Sequence, residues 1–248
     1  MHDPSRPLDR DQSLDTNLLA FARPARHSKH MNIEGDYATD GYAVLRGLIP
    51  PELASMLFKQ IQMDLEASGK NFNAFAQKHA LVENPTIELS GHFYRPLTTF
   101  LWGLTPIMSQ LTGKELLPSY DHMRIYHEGD HLRVHSDRPS CEHSATLTLY
   151  YSDGKPWPIE MGTQRVSGEE SYTEDWGEEP YQSVEMQPGD AILYRGTELR
   201  HGRTQPNRNK WSAHLFLFWV ERDGEFKEHA FDEVRLRSEL RRVRNLAV

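Results

Sequence analysis

From Ser119 onward the chain alternates. Met123 and Ile125 are flanked by polar neighbours, and so are Leu132 and Val134, the period of a strand with one buried face. "SATLTLYYSDG" (144–154) keeps that alternation and stops at Asp-Gly, a hairpin signal. "YQSVEMQPGDAILYRG" reads as strand, Pro-Gly-Asp turn, strand, and "KWSAHLFLFWV" (210–220) as a long strand rich in aromatics. Many short strands in succession predict a sandwich or barrel.

The front half has a different period. "DYATDGYAVLRGLI" (36–49) predicts a helix start, a turn at Gly41 and a strand. In "PELASMLFKQIQMDLEAS", Leu53, Leu57, Ile61 and Leu65 recur every fourth residue behind a proline pair, the pattern of an amphipathic helix with proline near its N-terminus. Residues 97–112 carry a second helical pattern, which Pro106 is expected to kink or split. Residues 1–33 are polar, mixed in charge and proline-containing, and read as a tail. The remainder is expected to form one domain: a helical support region (34–118), a β core (119–221) and a C-terminal helix (222–248) with Leu236, Leu240 and Val243 on one stripe.

Composition narrows the function classes. A chain of 248 residues can bury a proper core. The formal charge of −8 argues against a general nucleic-acid binder, which needs a basic face. The single cysteine, Cys141, excludes an internal disulfide framework and a thiolate cluster, and it predicts a cytoplasmic protein. No apolar run approaches the length of a membrane span. Oligomeric state is left open, with the C-terminal helix as a candidate contact. Thirteen histidines direct attention to metal.

Two metal patterns overlap in "IYHEGDHLRVHSD" (125–137). His127, Glu128 and His131 spell H-E-x-x-H, which holds zinc only when a helix sets residues i and i+4 on one face. Gly129 and Asp130 are poor helix formers, and both flanks alternate with period two. His135 and Asp137 spell H-x-D, which needs an extended chain, where i and i+2 point the same way. Arg133, His135 and Asp137 then share a face while Leu132 and Val134 enter the core.

A third ligand is available later. "PGDAILYRGTELRHGRTQPNRNKWSAHLFLFW" (188–219) places His201 just after a strand and a short turn, with Lys210 and Ser212 on the next strand. Two histidines and one carboxylate leave three positions open on a metal, as in Fe(II) oxygenases.

In these pieces the chain resembles the Fe(II)/2-oxoglutarate-dependent dioxygenases, most closely their prolyl-hydroxylase-like branch. The resemblance covers roughly residues 36–221 through "GYAVLRGLIPPELASML", "IYHEGDHLRVHSD", "ATLTLYY", "MQPGDAILYRG" and "RHGRTQPNRNKWSAHLFLFW". It implies an α+β, mainly β fold: a double-stranded β-helix of jelly-roll type with flanking N-terminal helices. It implies Fe(II) on His135, Asp137 and His201, with 2-oxoglutarate and O2 as co-substrates, and hydroxylation of a C–H bond with release of succinate and CO2. By the same resemblance Lys210, in a K-x-S where many relatives have R-x-S, pairs with the far carboxylate of 2-oxoglutarate as a point charge. Arg203 and Arg208 are weaker substitutes in the preceding turn. Tyr126 lies near the co-substrate, Tyr151 hydrogen-bonds its far carboxylate, and Leu149, on the strand face of Tyr151, walls the same pocket. Arg138 is a candidate substrate contact, for a small molecule or a peptide. The acidic stretch 160–180 is a surface loop or a lid. Two alternatives stand beside this reading: a ligand-binding β-helix without turnover, and a zinc hydrolase on His127, Glu128 and His131, which requires residues 120–132 to be helical.

Overall fold

The computed structural model describes residues 31–166 and 172–232. The expected C-terminal stripe lies outside them, as does most of the polar tail. Asp36 caps the first helix, α1 (Tyr37–Asp40), accepting from the Ala38 and Thr39 amides, and Gly41 ends it in the left-handed conformation. Strand β1 (Asn32–Glu34) pairs with β2 (Tyr42–Arg46), so the sheet begins inside the stretch read as tail. Helix α2 (Pro51–Ala67) is followed by β3 (Ala76–His79), β4 (Val82–Ser90) and helix α3 (Arg95–Thr112), one helix with Pro106 inside it. The support region therefore supplies strands as well as helices.

The remaining strands are β5 (Leu116–His127), β6 (Leu132–His135), β7 (His143–Tyr151), β8 (Ile159–Arg165), β9 (Tyr172–Thr173), β10 (Tyr181–Val184), β11 (Ala191–Tyr194), β12 (Leu199–Arg203) and β13 (Trp211–Glu221). They form an antiparallel eight-stranded sheet, β1-β2-β11-β7-β13-β5-β4-β3, facing a five-stranded one, β10-β8-β12-β6-β9. Strand β8 occupies the front of the acidic stretch, so no loop begins there before Val166.

Alternation along β13 divides the interior. Ala213, Leu215, Leu217 and Trp219 pack against the helices together with Phe58, Ile61, Leu97 and Leu101. Phe216 and Phe218 face the other way, into the space between the sheets, with Tyr126, Tyr151 and Trp157. Each such large apolar side chain contributes about 1.5–3 kcal/mol by leaving water, so the two-faced strand fixes which residues can line a site. On α2 the buried face is Ala54, Phe58, Ile61 and Leu65, while Leu53 is 50% exposed. A four-residue repeat overshoots a 3.6-residue turn by about 40° at each step, so the stripe expected from Leu53 winds away from the core. Among the described residues no helix is long and apolar enough to cross a membrane.

Candidate metal centre and its cavity

Strand β6 turns His135 to the space between the sheets, and a register shift against β12 puts Leu132 there too, while Arg133, expected on the face of His135, does not line the cavity and pairs with Glu174 at 2.8 Å. His135 pairs across the ladder with His201 of β12, which brings their ring centroids to 4.3 Å. Asp137, just past β6, is tied by its amide to the Gly196 carbonyl at 2.8 Å. Its Oδ1 lies 3.7 Å from Nε2 of both histidines. The three donor atoms all fall within 4.8 Å of one another.

The hydrogen bonds decide which nitrogen faces the cluster. His135 Nδ1 lies 2.8 Å from the Arg133 carbonyl and His201 Nδ1 lies 3.1 Å from the Leu199 carbonyl. A carbonyl only accepts, so both Nδ1 atoms carry the proton and both Nε2 lone pairs point at Asp137 Oδ1. Burial keeps both imidazoles neutral, lowering His135 to about 3 and His201 to about 4. Burial also pushes the Asp137 carboxyl up to about 6. Ser144 Oγ donates to its Oδ2 at 2.9 Å and fixes its rotation. Two lone pairs and a carboxylate converging in a buried site are a ligand set for a divalent cation.

Gly196 is part of the construction. A Cβ there would stand 2.3 Å from the Cys141 carbonyl oxygen and 2.5 Å from both Asp137 Oδ2 and Ser144 Oγ. Gly196→Ala is therefore expected to displace Asp137 and weaken Fe(II) affinity at least tenfold. Metal titration of the folded variant, compared with wild type, checks this.

The cluster opens into a cavity of about 360 Å³. Arg203 lines its depth: it follows His201 by two residues on the same strand face and is 1% exposed. Its guanidinium stacks 4.8 Å from the Trp157 ring centroid, and one nitrogen donates to the Trp157 carbonyl. Its Nη2 has no hydrogen-bond partner, and no carboxylate of the described residues pairs with it. Beside it His214 is fully buried, with Nε2 also unpartnered. On the opposite wall Arg124 donates to Glu88 Oε2 at 2.6 Å, and Glu88 is held ionised by Arg124, His122 and His79 despite its burial.

Lys210 sits elsewhere. It precedes β13 and is exposed, its amide donating to Asp153 Oδ2 at 2.8 Å, and it does not line the cavity. The connection after β12 is folded on Asn207, which donates to Ser212 Oγ at 3.1 Å and to the Tyr126 carbonyl, so Lys210 ends outside the barrel and Ser212 is occupied in holding the turn. Leu149 faces the helices: β13 steps from Ala213 to His214 while β7 steps from Tyr150 to Thr148, and this bulge turns Leu149 away from the face of Tyr151. Tyr126 and Tyr151 do point inward, one hydroxyl accepting from Arg124 at 3.2 Å and the other donating to the Met186 carbonyl at 3.2 Å, but neither lines the cavity. Arg138 lies at its edge.

The H-E-x-x-H segment is strand and turn. β5 runs to His127, Gly129 has a φ of 83°, and Asp130 accepts from the His127 amide, so the helix a zinc hydrolase needs is absent. A second convergence, Glu142, His143 and Glu221, contains Lys114 at 2.9 Å from Glu221 as its cation.

No protein-family model matches the sequence, and no curated protein does. Solved structures do match. A prolyl-4-hydroxylase of Pseudomonas putida aligns with a TM-score of 0.51 at 15% identity, over 75% of this chain and 96% of that one. The non-haem alpha-ketoglutarate-dependent carbocyclase SnoK from nogalamycin biosynthesis gives 0.56 at 11% identity, over 75% and 82%. HygX from Streptomyces hygroscopicus, solved with nickel and 2-oxoglutarate, gives 0.52 at 10% identity, over 75% and 84%. The chain has the double-stranded β-helix fold of these structures. In this chain His135, Asp137 and His201 meet at the cavity wall where β6 pairs with β12.

Proposed function

We propose that this fold carries an Fe(II)- and 2-oxoglutarate-dependent hydroxylase. The observation that supports it most is the convergence of two proton-free Nε2 atoms and one carboxylate oxygen at the head of a cavity. Fe(II) with 2-oxoglutarate and O2 supplies oxidative decarboxylation to succinate and CO2, coupled to oxygenation of a substrate C–H bond. His135, Asp137 and His201 would hold the metal on one face and leave the cavity side open. Arg203 would hold the far carboxylate of 2-oxoglutarate, with His214 beside it, in place of Lys210. Burial of Arg203 and His214 would strengthen that pairing. Tyr126 keeps Arg124 on Glu88, so that this second arginine is not free to compete. A non-catalytic ligand-binding role is disfavoured because all three metal-site side chains point at one place.

The test is anaerobic absorption of the protein with Fe(II), titrated with 2-oxoglutarate, followed by substrate screening for succinate release. A weak visible charge-transfer band that saturates is the expected result. No band, or a band with no substrate-stimulated succinate across the screen, would overturn the hydroxylase reading.

A further inference from the structure

We infer that the substrate is a small oxyanion, a carboxylate or phosphate on a compact apolar or flat body, whose charged group is taken by Arg138. This rests on the oxygenase reading above and adds the substrate class to it.

The charges around the cavity lead there. Its lining holds three guanidiniums, Arg124, Arg138 and Arg203, and three carboxylates, Glu88, Asp121 and Asp137. Arg124 is engaged with Glu88 at 2.6 Å. Asp121 packs its carboxylate over Gly91 and beside Thr98, in the field of Arg95. Asp137 belongs to the metal, and Arg203 matches the co-substrate. Arg138 alone is left: no carboxylate of the described residues pairs with it. A positive group at the mouth of a site already balanced within raises the local concentration of anions and favours them once bound.

Arg138 is also held in position. Its guanidinium lies 4.6 Å from the Tyr120 ring centroid. Tyr120 in turn stacks on Phe218 at 4.5 Å, and its hydroxyl lies 3.1 Å from Cys141 Sγ. Stacking occupies one face of the guanidinium and hydrogen bonding to Tyr120 and Cys141 holds part of its N–H edge; the remaining N–H groups are the ones that can grip an oxyanion. Being next to Asp137 in the chain, Arg138 brings that oxyanion within a few bonds of the carbon presented to the metal.

The body of the substrate is set by the wall between them. Tyr120 with Phe218, and His122 with Phe216 at 4.9 Å, form two stacked pairs on neighbouring strands. Rings stacked against each other turn their edges to the cavity, and those edges carry the positive part of the quadrupole. Such a wall accepts an apolar chain or the face of a flat ring. The volume of about 360 Å³, shared with the co-substrate, suits a small molecule.

The experiment uses the protein loaded anaerobically with Fe(II) and 2-oxoglutarate. The charge-transfer band is recorded first; its absence would mean the oxygenase reading itself has failed. Phenylacetate, 3-phenylpropionate, hexanoate and phenyl phosphate are then titrated, with phenylacetamide and hexanamide as uncharged counterparts, and perturbation of the band is followed. At least one acid is expected to act at tenfold lower concentration or better than its amide. That preference is expected to vanish in Arg138→Gln and to return in part in Arg138→Lys. A lead for phenyl phosphate over the carboxylates assigns the phosphate form. The proposal is overturned if acids and amides act equally, if none acts, or if the preference survives in Arg138→Gln. It is also overturned if Arg138→Gln loses the band, because Arg138 would then serve the metal and not the substrate.

Discussion

Arg203→Gln is expected to raise the 2-oxoglutarate concentration needed for half-saturation by on the order of 100-fold or more, while Lys210→Ala leaves it within about twofold. The reason is burial. Arg203 is 1% exposed, its Nη2 has no partner, and desolvation already lowers its pKa from the usual arginine value. A buried guanidinium without a counter-ion is costly, and an entering carboxylate relieves that cost. Truncating one partner of a buried, hydrogen-bonded charge pair costs about 2–5 kcal/mol, which is roughly 30-fold to several-thousand-fold in affinity. Lys210, exposed at the barrel end, could offer only a solvent-screened interaction. The measurement is titration of the Fe(II) complex with 2-oxoglutarate at fixed metal. Arg203→Gln should keep the metal and lose the co-substrate. Loss of 2-oxoglutarate affinity in Lys210→Ala with none in Arg203→Gln would return the anchor to Lys210.

Why Lys210 attracts attention in the sequence and Arg203 does not is a matter of what spacing encodes. His135 and Asp137 are readable because the rule used for them is local: in an extended chain, i and i+2 share a face. The same rule applied from His201 reaches Arg203 directly, but only once the segment is known to be strand β12, since its sequence suggests a turn. Lys210 depends on counting residues across a connection, and the fold of that connection on Asn207 decides where the count ends. Leu149 fails for a related reason. Period two assigns it the face of Tyr151, and one extra residue in β7 opposite β13 reverses that assignment. The two-sheet architecture tolerates such slips, since it is fixed by many alternating positions at once. A single pocket residue is not. The Arg124–Glu88 pair and His214 have no short-range signature, because their partners come from strands far apart in the chain.

Asp137→Asn is expected to abolish the thermal stabilisation that Fe(II) gives the wild-type protein, without lowering the stability of the metal-free protein at neutral pH. A ligand that binds only the folded state at one hundred times its Kd adds about 2.7 kcal/mol. For a chain of this size that is a rise of roughly 5–10 °C in Tm. The metal-free comparison has the opposite logic. Burial lifts the Asp137 carboxyl from 3.8 to about 6, so its favourable contribution is complete only when it is protonated and is lost as pH rises through about 6. At pH 7.5 the metal-free wild type therefore holds an ionised carboxylate against desolvation, and the neutral amide does not. Ser144 donates to that side chain and can donate equally to the amide oxygen, so the packing is kept. Scanning both proteins with and without Fe(II), under nitrogen, separates the two effects. An equal rise in both would show that the stabilising metal sits elsewhere, with the Glu142, His143 and Glu221 cluster the next place to substitute. A wild-type rise that vanishes in Asp137→Asn, with the metal-free Tm no lower, ties the ion to the carboxylate whose charge burial disfavours.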